Sequence, residues 1–267
     1  MSTPYPPPVA RLLELGIKAT DGTWMDYLEL GLGPEHVPDL IRMATNEQLN
    51  DGDAGRPETW APVHAWRALG QLRAESAVEP LMELAGKLED DDYAQGDLDR
   101  VFGMIGRAAV PALSRVLTDP RESSRVRAVA ARGLDQVLVE DESTRDEVEA
   151  ALVAAMEQWE GNDEDLNAWV VDALVEHQVV EAAPLMERAF AAGRVDLLLR
   201  GDWEDVQVEL GLIEERQTPP VGMPAPRSFV GDGFASGPAP RLRSPDSKAK
   251  RKRKQQKESR KKNRRRK

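Results

Sequence analysis

The twenty residues from Lys248 to Lys267 offer the plainest chemistry in this chain. Fourteen are lysine or arginine and one, Glu258, is acidic, a net charge of +13. Lys250, Arg251, Lys252, Arg253 and Lys254 form one run; Arg260, Lys261, Lys262, Arg264, Arg265 and Arg266 form another. Cations at this density release condensed counterions from a nucleic-acid backbone, giving sequence-independent, salt-sensitive contact with RNA or DNA; an acidic protein surface is a second target. No aromatic residue stands among them to stack a base, so phosphate contact is the chemistry on offer. A solvated tail or an import signal has the same composition.

Other reactive residue types do not converge. His36, His64 and His177 are scattered, with no His-x-x-x-His or His-Glu-x-x-His spacing to hold a metal. His64 stands four residues after Trp60 and shares its helical face, whereas His177 continues an apolar stripe; packing is the expected role of both. The acidic clusters Asp90-Asp91-Asp92, Asp163-Glu164-Asp165 and Asp202–Asp205 lack the ordered oxygen positions of a calcium loop and suit solvated loops and helix N-termini. No phosphate loop, nucleophile elbow or Ser-His-Asp set is evident, so the chain is expected to be non-enzymatic and without a cofactor.

Outside the tail the charge reverses. Residues 1–247 carry 22 lysines and arginines against 46 acidic residues, a net −24, so body and tail are electrostatic opposites. The absence of cysteine excludes disulfides, thiolate zinc sites and a cysteine nucleophile. The N-terminus has no basic-then-apolar leader, and no stretch approaches the ~18 uninterrupted apolar residues of a membrane span, so a cytoplasmic protein is expected.

Apolar spacing shows what must position any functional face. Residues 9–15 and 24–30 read as short helices closed by Gly16 and Gly31, and residues 46–56 as a loop. From Thr59, a candidate cap, helices recur in pairs. Val63, Trp66, Leu69 and Leu72 mark one stripe, and Val78, Leu81, Met82, Ala85 and Leu88 its partner. An acidic loop at 89–92 precedes a second pair at 98–105 and 110–117. The third pair is striped by Val126 to Val137 and Val148 to Trp159, and the fourth by Leu166 to His177 and Leu185 to Phe190. Pro38, Pro80, Pro111 and Pro184 each open a second helix, whereas the third pair lacks its proline. Trp66 and Trp169 hold comparable places in first helices, where they fill space between repeats or serve as partner hot spots.

The segments Gly103-Met-Ile-Gly106-Arg-Ala-Ala-Val110-Pro111-Ala-Leu113 and Ala68-Leu69-Gly70-Gln-Leu72 followed by Ala77-Val78-Glu-Pro80-Leu81 resemble the short HEAT-like repeats named after phycobilisome lyases. The resemblance spans roughly residues 34–192 and implies an all-α, α-α superhelix of the HEAT/armadillo solenoid type, acting as a scaffold or adaptor. No residue matches a bilin-handling site, so lyase activity does not carry over. The Gly103-x-x-Gly106 spacing is assigned to the turn between helices.

The expected organisation is an irregular helical cap at 1–33, repeats with a terminal cap at 34–214, a Pro/Gly-rich linker at 215–247 and the basic tail at 248–267. As a flexible coil the linker reaches on the order of 30 Å. A protein partner is expected on the concave, second-helix side, with Arg42, Glu83, Lys87, Arg115 and Arg188 as candidate contacts, while the tail adds an electrostatic contact to that partner or to nucleic acid. The leading alternative is a nucleic-acid-associated protein bound mainly through the tail.

Overall fold

The computed structural model describes residues 5–19, 24–53, 55–88 and 92–220. The chain divides into two units, Met1–Met223 and Pro224–Lys267, and the described residues all belong to the first. The tail cations at 248–267 and most of the 215–247 linker lie outside the described residues.

Among the described residues the chain is all-helical, with no strand. The longer helices are α1 (Val37–Ala44), α2 (Ala61–Gln71), α3 (Val78–Lys87), α4 (Asp92–Ile105), α5 (Val110–Thr118), α6 (Ser124–Glu140), α7 (Arg145–Glu157), α8 (Glu164–Glu176), α9 (Ala183–Ala191) and α10 (Trp203–Glu209). First helices α2, α4, α6 and α8 pack on one another in chain order, and second helices α5, α7 and α9 do likewise. Their apolar stripes close a core of leucine, valine and alanine in which Trp66, Phe102, Leu113, Leu134 and Leu174 are fully buried. Burial of this apolar surface is the main force holding the pairs together.

Each second helix α3, α5, α7 and α9 is entered through a 3-10 turn: Glu75–Ala77, Gly106–Ala109, Glu142–Thr144 and Val180–Ala182. Pro38, Pro111 and Pro184 occupy the first turns of α1, α5 and α9, where a backbone N–H has no intrahelical partner to lose. At α7, where proline is absent, Asp141 instead accepts from the Ser143 N–H in the preceding turn. Gly106 has φ 80°, the left-handed conformation that turns the chain out of α4. Arg73 (φ 49°) and Gln178 (φ 57°) take the same conformation after α2 and α8. There the Ala74 and Val179 N–H groups reach back to the Leu69 and Leu174 carbonyls.

Several boundaries differ from the sequence reading. Residues 24–30 form only the 3-10 turn Leu28–Leu30, because the Tyr27 N–H is drawn to Gln71 Oε1 (2.8 Å) and the Leu28 N–H to Asp26 Oδ1 (2.9 Å). The expected loop at 46–56 contains a helical turn, Glu47–Asn50, capped by the Asn46 side chain. Thr59 caps nothing; its hydroxyl donates to the Asp53 and Arg56 carbonyls, and Trp60 stands at the N-cap of α2. Helix α4 begins at Asp92, not near Leu98, since its first turns are polar and leave no apolar stripe to read. Gly103 belongs inside α4 rather than to the turn: a Cβ there would lie 2.8 Å from Gln136 Cβ and 3.1 Å from the Gln136 carbonyl oxygen, so α4 and α6 approach across it.

The stretch Gly96–Thr118 passes the length and composition test for a membrane-crossing helix, which the sequence reading did not anticipate. In the fold it is α4 and α5, joined by a corner at Gly106, with Leu98, Val101, Phe102, Ile105, Leu113 and Leu117 buried against neighbouring helices.

Candidate functional site on the second-helix face

The predicted contact residues sit on or beside second helices, but most of their charges are already engaged. Arg115, on α5, forks both its hydrogen bonds onto Glu79 of α3 at 2.7 and 2.9 Å. Lys87, at the end of α3, lies 3.3 Å from Glu47 Oε1 in the turn that follows α1. Both links join residues 36 to 40 positions apart, so they tie one helical pair to the next. Arg42 pairs with Asp39 one turn earlier (2.7 Å) and spreads its guanidinium over the Tyr5 ring at 4.1 Å. The Arg188 Nε donates to the Pro184 carbonyl of its own helix at 3.2 Å. Glu83 is exposed, and among the described residues no ion pair engages it.

Two clefts open on this side. Between α3 and α5 lies one of about 250 Å³, with Met82, Val116 and Val126 at its floor and Glu79, Glu83, Glu122 and Arg115 around its lip. It brings Glu83 and Arg115 together. A second, of about 560 Å³, lies where α7 ends against α9, and brings Arg188 beside Trp159, Leu185, Glu157 and Glu160. Arg42 and Lys87 line neither. By apolar spacing alone Trp159 is the end of a stripe; the further signal in the sequence is a tryptophan between two glutamates just before Gly161, where a helix stops.

The first-helix layer carries a chain of arginines, aspartates and tryptophans that sequence reasoning missed. Arg67 of α2, only 2% exposed, pairs with Asp97 of α4 at 2.6 Å, and the Trp66 indole N–H donates to the same carboxylate at 3.3 Å. Arg132 of α6 pairs with Asp99 of α4 at 2.8 Å and covers the Trp169 ring of α8 at 4.7 Å. Next, His177 Nε2 meets Asp135 at 2.8 Å, and Arg200 pairs with Glu209 at 2.8 Å. Arg200 Nε also stands 3.5 Å from Asp172, an ionic contact without hydrogen-bond geometry. Burial pushes the Asp99 carboxyl above the usual carboxylate range despite the pull of Arg132, and Oδ1 of that carboxyl has no hydrogen-bond partner. Burial likewise raises Asp172. Trp66 is therefore a core residue, and Trp169 is half-buried beneath Arg132.

His64 is fully buried at a junction of three segments. Its Nε2 faces the Gly16 carbonyl at 2.9 Å and its Nδ1 the Tyr27 hydroxyl at 2.7 Å. A carbonyl only accepts, so Nε2 carries the proton and Nδ1 accepts from Tyr27. Burial pushes the Tyr27 hydroxyl up to about 12 and the imidazole below its ordinary value, so the pair is neutral. His36 Nδ1 accepts from the Gly33 N–H at 3.0 Å, a local turn contact.

The acidic clusters within the described residues act as caps and anchors. Asp163 caps α8 through the Leu166 N–H, and Asp202 caps α10 while holding Arg216 at 2.7 Å. Glu204 accepts from the Thr218 N–H and hydroxyl at 2.9 and 2.8 Å, fastening the segment that leaves α10. Among the described residues no group of three or more histidines and carboxylates is placed to hold a metal ion.

Compared with protein-family profiles, curated proteins and solved structures, the chain matches none.

Proposed function

We propose that this chain is a non-enzymatic protein-binding scaffold of the HEAT-like type, its helical pairs stacking into a superhelix that offers the second-helix face to a partner in the cytoplasm. The carrying observation is the pair of clefts on that face, each with apolar residues between successive helices and carboxylates outnumbering arginine at the lip. Polar rims around apolar centres are the usual anatomy of a protein docking surface. The links Arg115–Glu79 and Lys87–Glu47 run between adjacent pairs along this face, while the buried apolar core beneath holds the pairs in register and keeps the face preorganised. The cationic tail adds a second, electrostatic contact, and two weak contacts on one chain raise avidity well beyond either.

Fourteen cations in twenty residues favour a second reading, in which RNA or DNA is the main partner and the tail its main contact. One experiment separates the two. Partner retention is compared for the full chain, a chain ending at Ser247, and the full chain carrying Glu83→Lys with Glu122→Lys. A scaffold loses its protein partner with the paired lysine substitutions and keeps it without the tail. Retention that vanishes with the tail, survives the substitutions and depends steeply on salt assigns the function to nucleic acid instead.

A further inference from the structure

The chain treats two of its half-buried tryptophans alike. Trp24 carries the guanidinium of Arg100 at 4.3 Å and that of Arg67 at 4.9 Å from its ring centre, and Arg67 is held by Asp97. Trp169 carries Arg132 at 4.7 Å, itself held by Asp99. In both, an indole face, a guanidinium and a carboxylate form one assembly.

Trp159 has the ring and the carboxylates without the cation. It is half-buried just past the end of α7, between the exposed Glu157 and Glu160, and among the described residues no guanidinium covers its ring and no ion pair engages either glutamate. The carbonyls at this helix end are already engaged, Ala155's by the Gln158 N–H and the Asn162 side chain, Met156's by the Trp159 N–H and Glu160's by Arg194 at 3.3 Å, so the two carboxylates supply the negative charge. Arg188 lines the same cleft, yet its Nε is turned to the Pro184 carbonyl of α9. The cleft, about 560 Å³, is larger than one guanidinium needs, and Leu185 of α9 supplies an apolar wall.

We propose that this cleft docks an arginine-bearing linear segment of a partner protein, the guanidinium seated on the Trp159 indole between Glu157 and Glu160 and an adjacent apolar side chain resting on Leu185. The proposal rests on the second-helix face being a docking surface, and it names the chemistry of the occupant. Arginine suits it better than lysine because a planar guanidinium stacks on an indole while hydrogen-bonding carboxylates at its edge.

The test titrates the full 267-residue chain with an end-blocked peptide of alternating arginine and leucine. The six tryptophan indole N–H signals are followed by NMR and the affinity is measured by calorimetry. The Trp159 signal is expected to move while those of Trp66 and Trp169 stay still, and the glutamine-leucine counterpart of the peptide should move none. Glu157→Gln with Glu160→Gln, at two exposed positions that leave the core intact, is expected to weaken binding about tenfold, and Trp159→Leu about fivefold. Arg188→Ala removes a like charge and should tighten it. An unmoved Trp159 signal in the unaltered protein, or unchanged affinity in the double glutamine variant, overturns the assignment without relying on the Trp159 variant to fold. Should the peptide fail while Glu83→Lys with Glu122→Lys still releases a partner, this cleft alone loses its role; failure of both removes the docking surface as well.

Discussion

His64 shows how one buried side chain ties stability to pH. Its imidazole is depressed below 6.5 by burial, so the unfolded chain binds a proton that the folded chain refuses as pH falls below that value. Stability contributed by the neutral ring is complete above pH 6.5 and declines as pH drops toward the folded-state value. Urea denaturation at pH 7.5, 6.5 and 5.5 should therefore show a falling midpoint, and in His64→Gln the fall should be shallower, though the variant is less stable at pH 7.5 through loss of the Tyr27 and Gly16 contacts. A fall of equal steepness in the variant would place the pH dependence elsewhere. The sequence indicated a packed histidine but not its partners. Spacing put His64 on the face of Trp60, whereas the ring reaches Tyr27 and Gly16, 37 and 48 residues away, in segments with no regular period. The contact candidates were likewise legible as positions and not as pairs: Arg115 and Lys87 were placed beside or on second helices, and the glutamates that hold them follow from the stacking.

At the level of helices, two glycines three residues apart act by different physics. Gly106 is left-handed, and a Cβ would meet nothing within 4 Å, so Gly106→Ala costs only backbone strain, about 1 kcal/mol. Gly103 is an ordinary helical residue where a Cβ would collide with α6 backbone, so Gly103→Ala should cost about 1–3 kcal/mol by forcing α4 and α6 apart. Thermal or urea unfolding of the two variants ranks them; equal costs would show that close helix approach is not what selects glycine at 103. Helical pairs were legible because valine and leucine recur at three and four residues and because proline opens most second helices. What escaped had no such marker. The left-handed corners at Arg73 and Gln178 use side chains that give no hint of positive φ, and the early turns of α4 are polar.

Across the molecule, links between pairs differ sharply in worth. The Arg67–Asp97 pair is buried and also receives the Trp66 indole, so Arg67→Ala leaves an uncompensated carboxylate and should cost about 3 kcal/mol. Arg115→Ala removes a pair more than half exposed on both sides, and solvent screening leaves little for it to contribute. Urea titrations of both variants check the contrast, and a comparable loss from Arg115→Ala would mean that the face is held by its rim rather than its core. The all-helical class was legible from composition and periodicity. The charged chain across the first helices was not, because its links Arg67–Asp97, Arg132–Asp99 and His177–Asp135 join residues 30, 33 and 42 positions apart.

That chain also fixes who may stand beside whom. Helix α4 holds two aspartates and receives an arginine from each side, Arg67 from before it and Arg132 from after it. Beyond α4 the cations that reach Asp135 and Asp172 come from later segments, His177 donating to Asp135 and Arg200 standing in ionic contact with Asp172. Excising the α6–α7 pair would bring Asp172 of α8 to the side of α4 that Arg132 serves, setting acid against acid. The units are therefore not interchangeable tiles, and their order is written in charge as well as in shape.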